Sequence, residues 1–230
     1  MAPVCAVVVA GGSGQRFGNP GGKQLVNVAG RPLMSWSIRA FDRSDKVGHI
    51  VVVCPAERRA EMRRLAIDPF DYDTPISFAD AGATRQDSTR AGVHAVPAGF
   101  EYVAIHDGAR PLVTEEIVYD AMHSAALYKC AAPAVPVTDT VKETDHDTVV
   151  RTLNRSALAA IQTPQAFVPE IIKAALTRAI AEKKEYTDDC AAVEAMGVKI
   201  HLSKGSPENI KITGPVDIPT AEAILKTRGE

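Results

Sequence analysis

Val7-Val8-Val9 runs straight into Ala10-Gly11-Gly12-Ser13-Gly14-Gln15-Arg16-Phe17-Gly18, and Lys23-Gln24 follows a few residues later. A run of β-branched residues with no polar interruption reads as a strand covered on both faces, the pattern of a parallel sheet. Gly11, Gly12 and Gly14 let the chain turn with positive φ and bring backbone N–H groups close to a ligand. Arg16 and Lys23 add two positive charges to a loop already rich in amide donors. A loop of this composition leaving a strand suits a polyphosphate; the plainer alternative is a mobile turn carrying two solvated cations.

Two better-known glycine loops do not fit. The dinucleotide fingerprint G-x-G-x-x-G accepts Gly12 and Gly14 but meets Phe17 where it needs a third glycine. The P-loop pattern fails at Phe17 and again at Gln24, where Ser or Thr should follow the lysine.

Outward from this loop, short apolar runs alternate with stretches of helical character. Val4–Val9, His49–Val53, Tyr102–Ile105 and Ala131–Val137 are expected as strands. Pro32–Phe41, Glu57–Ala66, Asp87–Ala95, Thr114–Tyr128 and Pro169–Ala181 are expected as helices between them. The arginines of the second helix are interleaved with Glu57 and Glu61 and read as a solvated face. Alternation of this kind predicts an α/β fold, a mostly parallel sheet covered by helices, with ligands outside the carboxyl ends of the strands. His106-Asp107-Gly108-Ala109-Arg110-Pro111 and Thr138-Asp139-Thr140 both follow predicted strands. The segment Thr140–Leu153 breaks the rhythm: it is polar, β-prone and centred on Asp145-His146-Asp147. It is expected to form a hairpin arm within residues 138–155, and an isolated hairpin needs something to pack on, most simply a second subunit.

The 230 residues suit one domain, expected over 1–230, and an apolar fraction of 46% supplies a full core. A net charge of −2 argues against general binding to nucleic acid or an anionic membrane. Cys5, Cys54, Cys130 and Cys190 are scattered, without a C-x-x-C pair or a histidine at ligand spacing. They read as buried or free thiols in a reducing compartment, and no metal-ligating set is expected from the chain itself. The apolar run at the N-terminus is too short for a signal peptide or membrane span, so a cytoplasmic location is expected.

Other segments carry chemistry-bearing residues. Asp107 beside Arg110-Pro111 is a strand-end pair in which the carboxylate orients a substrate and the guanidinium binds phosphate. In Asn209-Ile210-Lys211-Ile212-Thr213, a strand would put Ile210 and Ile212 on one side and Lys211 on the other. Taken alone, Lys211 is as well explained as a surface residue, and Arg155 in Asn154-Arg155-Ser156 as decoration of a helix start. Gln162-Thr163-Pro164-Gln165 is a turn able to contact ligand oxygens or to satisfy its own backbone.

Read in order, A-G-G-S-G-x-R then K-Q, R-Q-D-S, H-D-G-A-R-P, V-T-D-T-V-K, N-R-S, Q-T-P-Q-A-F, T-D-D and N-I-K-I-T resemble the 2-C-methyl-D-erythritol 4-phosphate cytidylyltransferase family over nearly the whole chain. The resemblance implies a Rossmann-like nucleotidyltransferase sandwich of three layers with a protruding β-hairpin arm. It implies transfer of CMP from CTP to a polyol phosphate with release of pyrophosphate, in non-mevalonate isoprenoid synthesis. By similarity Ala10, Gly11, Gly12 and Gly14, with Gly82, Ala83 and Ser88, would form the CTP pocket. Arg16, Lys23 and Lys211 would be the catalytic cations around the triphosphate, with Mg²⁺ bridging its oxygens. Asp107, Arg110, Thr140, Arg155 and Thr163 would hold the polyol phosphate, Thr140 and Arg155 reaching the neighbouring subunit of a homodimer through the arm.

The chemistry suits these residues, because a phosphate monoester with a second pKa of about 6 is already a nucleophile at neutral pH and needs no general base. Three departures from the family pattern stand out, one of them Gly22 where a proline usually precedes the lysine. The first loop reads Ala-Gly-Gly where Ala-Ala-Gly is usual, and Ala81 replaces the first glycine of G-G-x-x-R. Because sister enzymes that use ribitol 5-phosphate also carry the double glycine, that acceptor is the alternative. A CTP-sensing module without turnover and an NAD-dependent oxidoreductase are the readings from other classes; the cations count against the first and Phe17 against the second.

Overall fold

The computed structural model describes residues 3–12, 17 and 22–230. Its strands are β1 Val4–Val9, β2 Asn27–Val28, β3 Arg31–Pro32, β4 Val47–Cys54, β5 Ile76–Asp80, β6 Tyr102–Asp107, β7 Cys130–Pro136, β8 Lys142–Asp145, β9 Thr148–Thr152, β10 Ala159–Ile161, β11 Gln165–Phe167 and β12 His201–Lys204. The α-helices are α1 Leu33–Asp42, α2 Arg59–Ala66, α3 Arg85–His94, α4 Glu115–Tyr128, α5 Pro169–Ala181, α6 Asp189–Glu194 and α7 Asp217–Thr227.

The main sheet has the order β10-β7-β11-β6-β1-β4-β5, with β12 on the other side of β7. β1 pairs in parallel with both β4 and β6, and β4 with β5; only β10 and β11 run antiparallel to their neighbours. Strand pleating explains the three layers. Val4, Ala6 and Val8 face one core, where α1, α2 and α4 contribute Met34, Ile38, Phe41, Met62, Val118 and Met122. Cys5, Val7 and Val9 face the other, where α3, α5 and α6 contribute Val93, Ile172, Leu176 and Val193. A one-residue slip of β1 would exchange both sets, so the register is firmly specified.

The predicted strands and helices are all present, shifted by a few residues at most, and α5 and β1 have the predicted bounds. The expected helix from Glu57 starts as a 3₁₀ turn, Ala56–Arg58, before α2. Asn209–Thr213, whose alternation is read on the supposition of a strand, is not one. It is pinned instead by single bonds, Ile212 N–H donating to the Ala109 carbonyl (2.8 Å) and Asn209 Nδ2 to the Thr163 carbonyl (3.1 Å). The alternation survives without a ladder, for Ile212 is buried while Lys211 reaches toward Asp107.

The hairpin arm is β8–β9, exposed along both strands, with Val149 55% and Val150 58% exposed at its tip. All four cysteines are buried and unpaired, and burial pushes the Cys5 thiol up to about 12 and those of Cys54 and Cys130 up to about 11. No helix among the described residues is long and apolar enough to cross a membrane.

Candidate active site

Register places the site. Val9, the last residue of β1, lies opposite Asp107, the last of β6, so the glycine loop and the H-D-G-A-R-P loop leave the sheet side by side. Gly108 N–H donates to the Val9 carbonyl (3.0 Å) and Ala10 N–H to the Val53 carbonyl (2.8 Å), fixing both loops to the strand ends. Ala81 N–H donates to the Cys54 carbonyl (2.9 Å), which brings the loop after β5 to the same edge. Thr84 then caps α3: its hydroxyl accepts from Asp87 N–H while the Asp87 carboxylate accepts from Thr84 N–H. Arg85 is the first residue of that helix.

These loops enclose a cavity of about 360 Å³ lined by Gly11, Gly12, Lys23, Gly82, Ala83, Thr84 and Ser88, with Arg85, Asp107 and Lys211 at one side. A smaller cavity of about 160 Å³ is lined by Arg110, Gln162, Thr163, Gln165 and Asp188, and shares Arg85, Asp107 and Lys211 with the first. Arg85, Asp107 and Lys211 are therefore a seam between two compartments.

The seam is an ion-paired chain. Asp107 accepts from Lys211 Nζ on one oxygen (2.7 Å) and from Arg85 Nε on the other (3.1 Å). Arg85 also grips Asp189 bidentately, Nη1 and Nη2 donating at 3.1 and 2.9 Å. Burial pushes the Asp107 carboxyl up, but Arg85 and Lys211 overcome it and hold the group well below the usual carboxylate range. Burial alone would weaken the charge on Arg85, yet Asp189 and Asp107 hold its pKa above the ordinary guanidinium value. Lys211 is only partly buried, its side chain 39% exposed, so an arriving anion can compete with Asp107 for it. Lys23 Nζ donates to the Ile212 carbonyl (3.0 Å), which sets the two lysines on adjacent walls.

Of the residues read from sequence, Gly11, Gly12, Gly82, Ala83, Ser88, Lys23 and Lys211 meet in the larger cavity, and Asp107 and Lys211 join it to Arg110 and Thr163. Ser88 is committed to its own loop, its hydroxyl donating to the Thr84 carbonyl (2.9 Å) and accepting from Gly82 N–H (3.1 Å). Ala10 is buried below the loop, its N–H engaged with the sheet. Arg110 Nη1 donates to the Asn209 carbonyl (2.6 Å), while its buried Nε has no partner among the described residues. Thr140 and Arg155 lie exposed at the base of the arm, lining neither cavity; Arg155 donates to the Thr138 carbonyl. Gly14 and Arg16 lie outside the described residues.

Three members of the site carried no assigned role in the sequence reading: Arg85, Asp189 and His106. Arg85 heads the quoted R-Q-D-S stretch, but the partner that explains it, Asp189, is 104 residues away. Among the described residues no three His, Cys, Asp or Glu side chains gather to hold a metal, and both oxygens of Asp107 are already taken by cations.

Two of the departures from the family pattern, at residues 11 and 81, lie in one contact. A Cβ on Gly11 would sit 2.5 Å from the Ala81 Cβ and 3.3 Å from Ser88 Oγ. Residues 11 and 81 thus share a contact with room for one methyl, which residue 81 supplies.

A glycine-lined pocket at the carboxyl ends of parallel strands, with lysines beside it and a second polar compartment adjoining, defines an α/β enzyme that handles a nucleotide polyphosphate. The model of the 2-C-methyl-D-erythritol 4-phosphate cytidylyltransferase family matches residues 4–227, and the chain belongs to that family. A relative of that name from Caldanaerobacter subterraneus subsp. tengcongensis is 42% identical over 224 residues, 97% of this chain and 99% of the relative. One from a Synechococcus species is 38% identical over 225 residues, 96% of each chain. The crystal structure of 4-diphosphocytidyl-2C-methyl-D-erythritol synthase from Anaerococcus prevotii superposes with a TM-score of 0.86 at 29% identity, covering 98% of this chain and 96% of that one. The 2-C-methyl-D-erythritol 4-phosphate cytidylyltransferase from Thermus thermophilus gives 0.78 at 27% identity, covering 96% and 98%. These relatives are named for methylerythritol phosphate and not for ribitol phosphate.

Proposed function

We propose that the chain transfers CMP from CTP to 2-C-methyl-D-erythritol 4-phosphate, forming 4-diphosphocytidyl-2-C-methyl-D-erythritol and pyrophosphate. The observation that carries this reading is the seam: two cavities, one glycine-lined and one bounded by Arg110, share Lys211, Asp107 and Arg85. CTP in the larger and the acceptor phosphate in the smaller would meet at Lys211. A phosphate oxygen of the acceptor attacks the α-phosphorus, the bond to the β-phosphate breaks, and pyrophosphate leaves with the electron pair.

The barrier is electrostatic, since one anion must approach another. Lys23 and Lys211 stabilise the charge crowded on the α-phosphorus, and a preorganised donor of this kind is worth about a hundredfold or more in rate. Arg16 belongs to the same set by resemblance. No side chain has to remove a proton, and the buried His106 has both nitrogens engaged. Mg²⁺ would arrive with CTP, held by phosphate oxygens and withdrawing their charge, in keeping with its habit of binding through substrate phosphates. The exposed arm supports a homodimer in which Thr140 and Arg155 complete the neighbour's acceptor site. Four buried, unpaired cysteines support a cytoplasmic enzyme.

The test is pyrophosphate release from CTP with methylerythritol phosphate or ribitol 5-phosphate, each with and without Mg²⁺. Mg²⁺-dependent turnover with the first acceptor and little with the second is expected. Preference for ribitol 5-phosphate would overturn the acceptor assignment, and CTP binding without turnover would overturn the reaction.

A further inference from the structure

We propose that His106 is a positioning residue for this reaction: through the Thr163 hydroxyl it fixes the end of β6 from which Asp107 sets the seam. The inference rests on the reading above only for its kinetic part.

The argument is one of hydrogen-bond accounting. His106 Nε2 lies 3.2 Å from the Arg110 carbonyl, which can only accept, so Nε2 carries the hydrogen. In a neutral imidazole Nδ1 is then an acceptor, and it lies 2.9 Å from Thr163 Oγ1. Thr163 therefore donates its single hydroxyl hydrogen to His106. The same oxygen accepts from Asp107 N–H at 3.2 Å. His106 is fully buried, with Phe41 edge-on against its ring, and Thr163 is 4% exposed, so water replaces none of these partners. Burial holds the imidazole neutral, with its pKa pushed down to about 4.

The loop Asp107–Arg110 is thus tied at both ends. One ring nitrogen holds the Arg110 carbonyl, and the other holds, through Thr163, the amide of Asp107. The carboxylate on that amide's own residue is what grips Lys211 and Arg85. A corollary concerns Thr163: its hydrogen is spent, and a phosphate dianion offers acceptors only. Thr163 can offer the acceptor molecule a lone pair for a polyol hydroxyl, whereas phosphate binding in this compartment falls to Arg110 and Lys211.

The test combines kinetics with a signature independent of turnover. His106→Gln keeps a donor toward the Arg110 carbonyl and loses the Nδ1 acceptor; Thr163→Val loses the hydroxyl; Thr163→Ser keeps it. H106Q and T163V are each expected to lower kcat about tenfold to a hundredfold, as a small misplacement of a catalytic group does, with the acceptor KM changing less. The double variant should lose no more than about twofold beyond the worse single, because both remove one link. T163S should recover most of the turnover. ¹⁵N NMR of the wild-type protein should show His106 protonated at Nε2 and bare at Nδ1 at neutral pH. Additive losses in the double variant, a T163S as impaired as T163V, or an Nδ1-protonated tautomer would each overturn the proposal. The NMR readout stands even if a variant fails to fold or the acceptor proves to be another polyol phosphate.

Discussion

Gly11→Ala, alone and combined with Ala81→Gly, probes the packing of the nucleotide loop. A methyl at residue 11 would lie 2.5 Å from the Ala81 Cβ, about 1 Å inside ordinary van der Waals contact. Both atoms are fixed to backbone, so neither can rotate away and one loop must shift. Overpacking of this kind costs about 1–3 kcal/mol, which in a chain of this size is a fall in Tm of about 2–12 °C. Ala81→Gly alone removes a half-buried methyl and should cost about 1 kcal/mol or less. The double variant transfers the methyl from one side of the contact to the other. It should recover most of the G11A loss, giving a coupling energy of about 1–2 kcal/mol of opposite sign to the single effects. The remaining deficit reflects Ser88 Oγ, 3.3 Å from the new methyl. Urea unfolding of the four proteins measures the cycle, and calorimetric titration with CTP follows the pocket. If G11A is as stable as wild type and binds CTP equally well, or if the two changes simply add, the compensated contact is refuted.

Arg85→Gln should destabilise the fold by about 3–5 kcal/mol, because it strands the buried Asp189 carboxylate, and calorimetry should show the loss in Tm. Asp189→Asn in the same background should return part of it. Stability should also decline as pH falls from about 6.5 to about 4. His106 is neutral in the folded protein down to about 4, whereas its unfolded form takes up a proton near 6.5, so the unfolded state binds more protons in that window. Asp107 and Arg110, the charged groups facing the ring, act in opposite directions, and the full effect is about 3 kcal/mol. H106Q should flatten that decline in urea titrations across the window. Shortening the arm to remove Val149 and Val150 should convert the proposed homodimer to monomer in sedimentation velocity; a wild-type monomer at micromolar concentration would sink the arm's assigned role.

The elements that sequence made legible are those with long, one-sided or two-sided apolar runs. β1 and α5 have such runs and no competing turn residues, so even their ends were readable. β5 was not, since Ile-Ser-Phe-Ala-Asp is a half-buried edge strand without strong alternation. β10 and β11 are three residues each, separated by the Gln162–Pro164 turn, and exist because β7 and β6 offer them partners. The site divides in the same way. Gly11, Asp107 and Arg110 stand at or just after strand ends, where an α/β fold puts ligands, and motif spacing finds them together with Lys23, which opens a 3₁₀ turn further along the first loop. Lys211 reads locally as a surface lysine; the family resemblance singles it out, and its segment is held by the Ile212 N–H bond to the Ala109 carbonyl. Arg85, Asp189 and His106 draw their meaning from partners far along the chain or deep in the core, and no local pattern encodes those.

Lys211 carries the central claim, because it belongs to both cavities and holds Asp107 at 2.7 Å. Steady-state kinetics of Lys211→Ala with CTP and methylerythritol phosphate, monitored by pyrophosphate release, tests it most directly. The account predicts a kcat at least about a hundredfold lower, with CTP KM changed far less, and a parallel result for Lys23→Ala. Unchanged turnover in K211A, or a loss confined to KM, would contradict it.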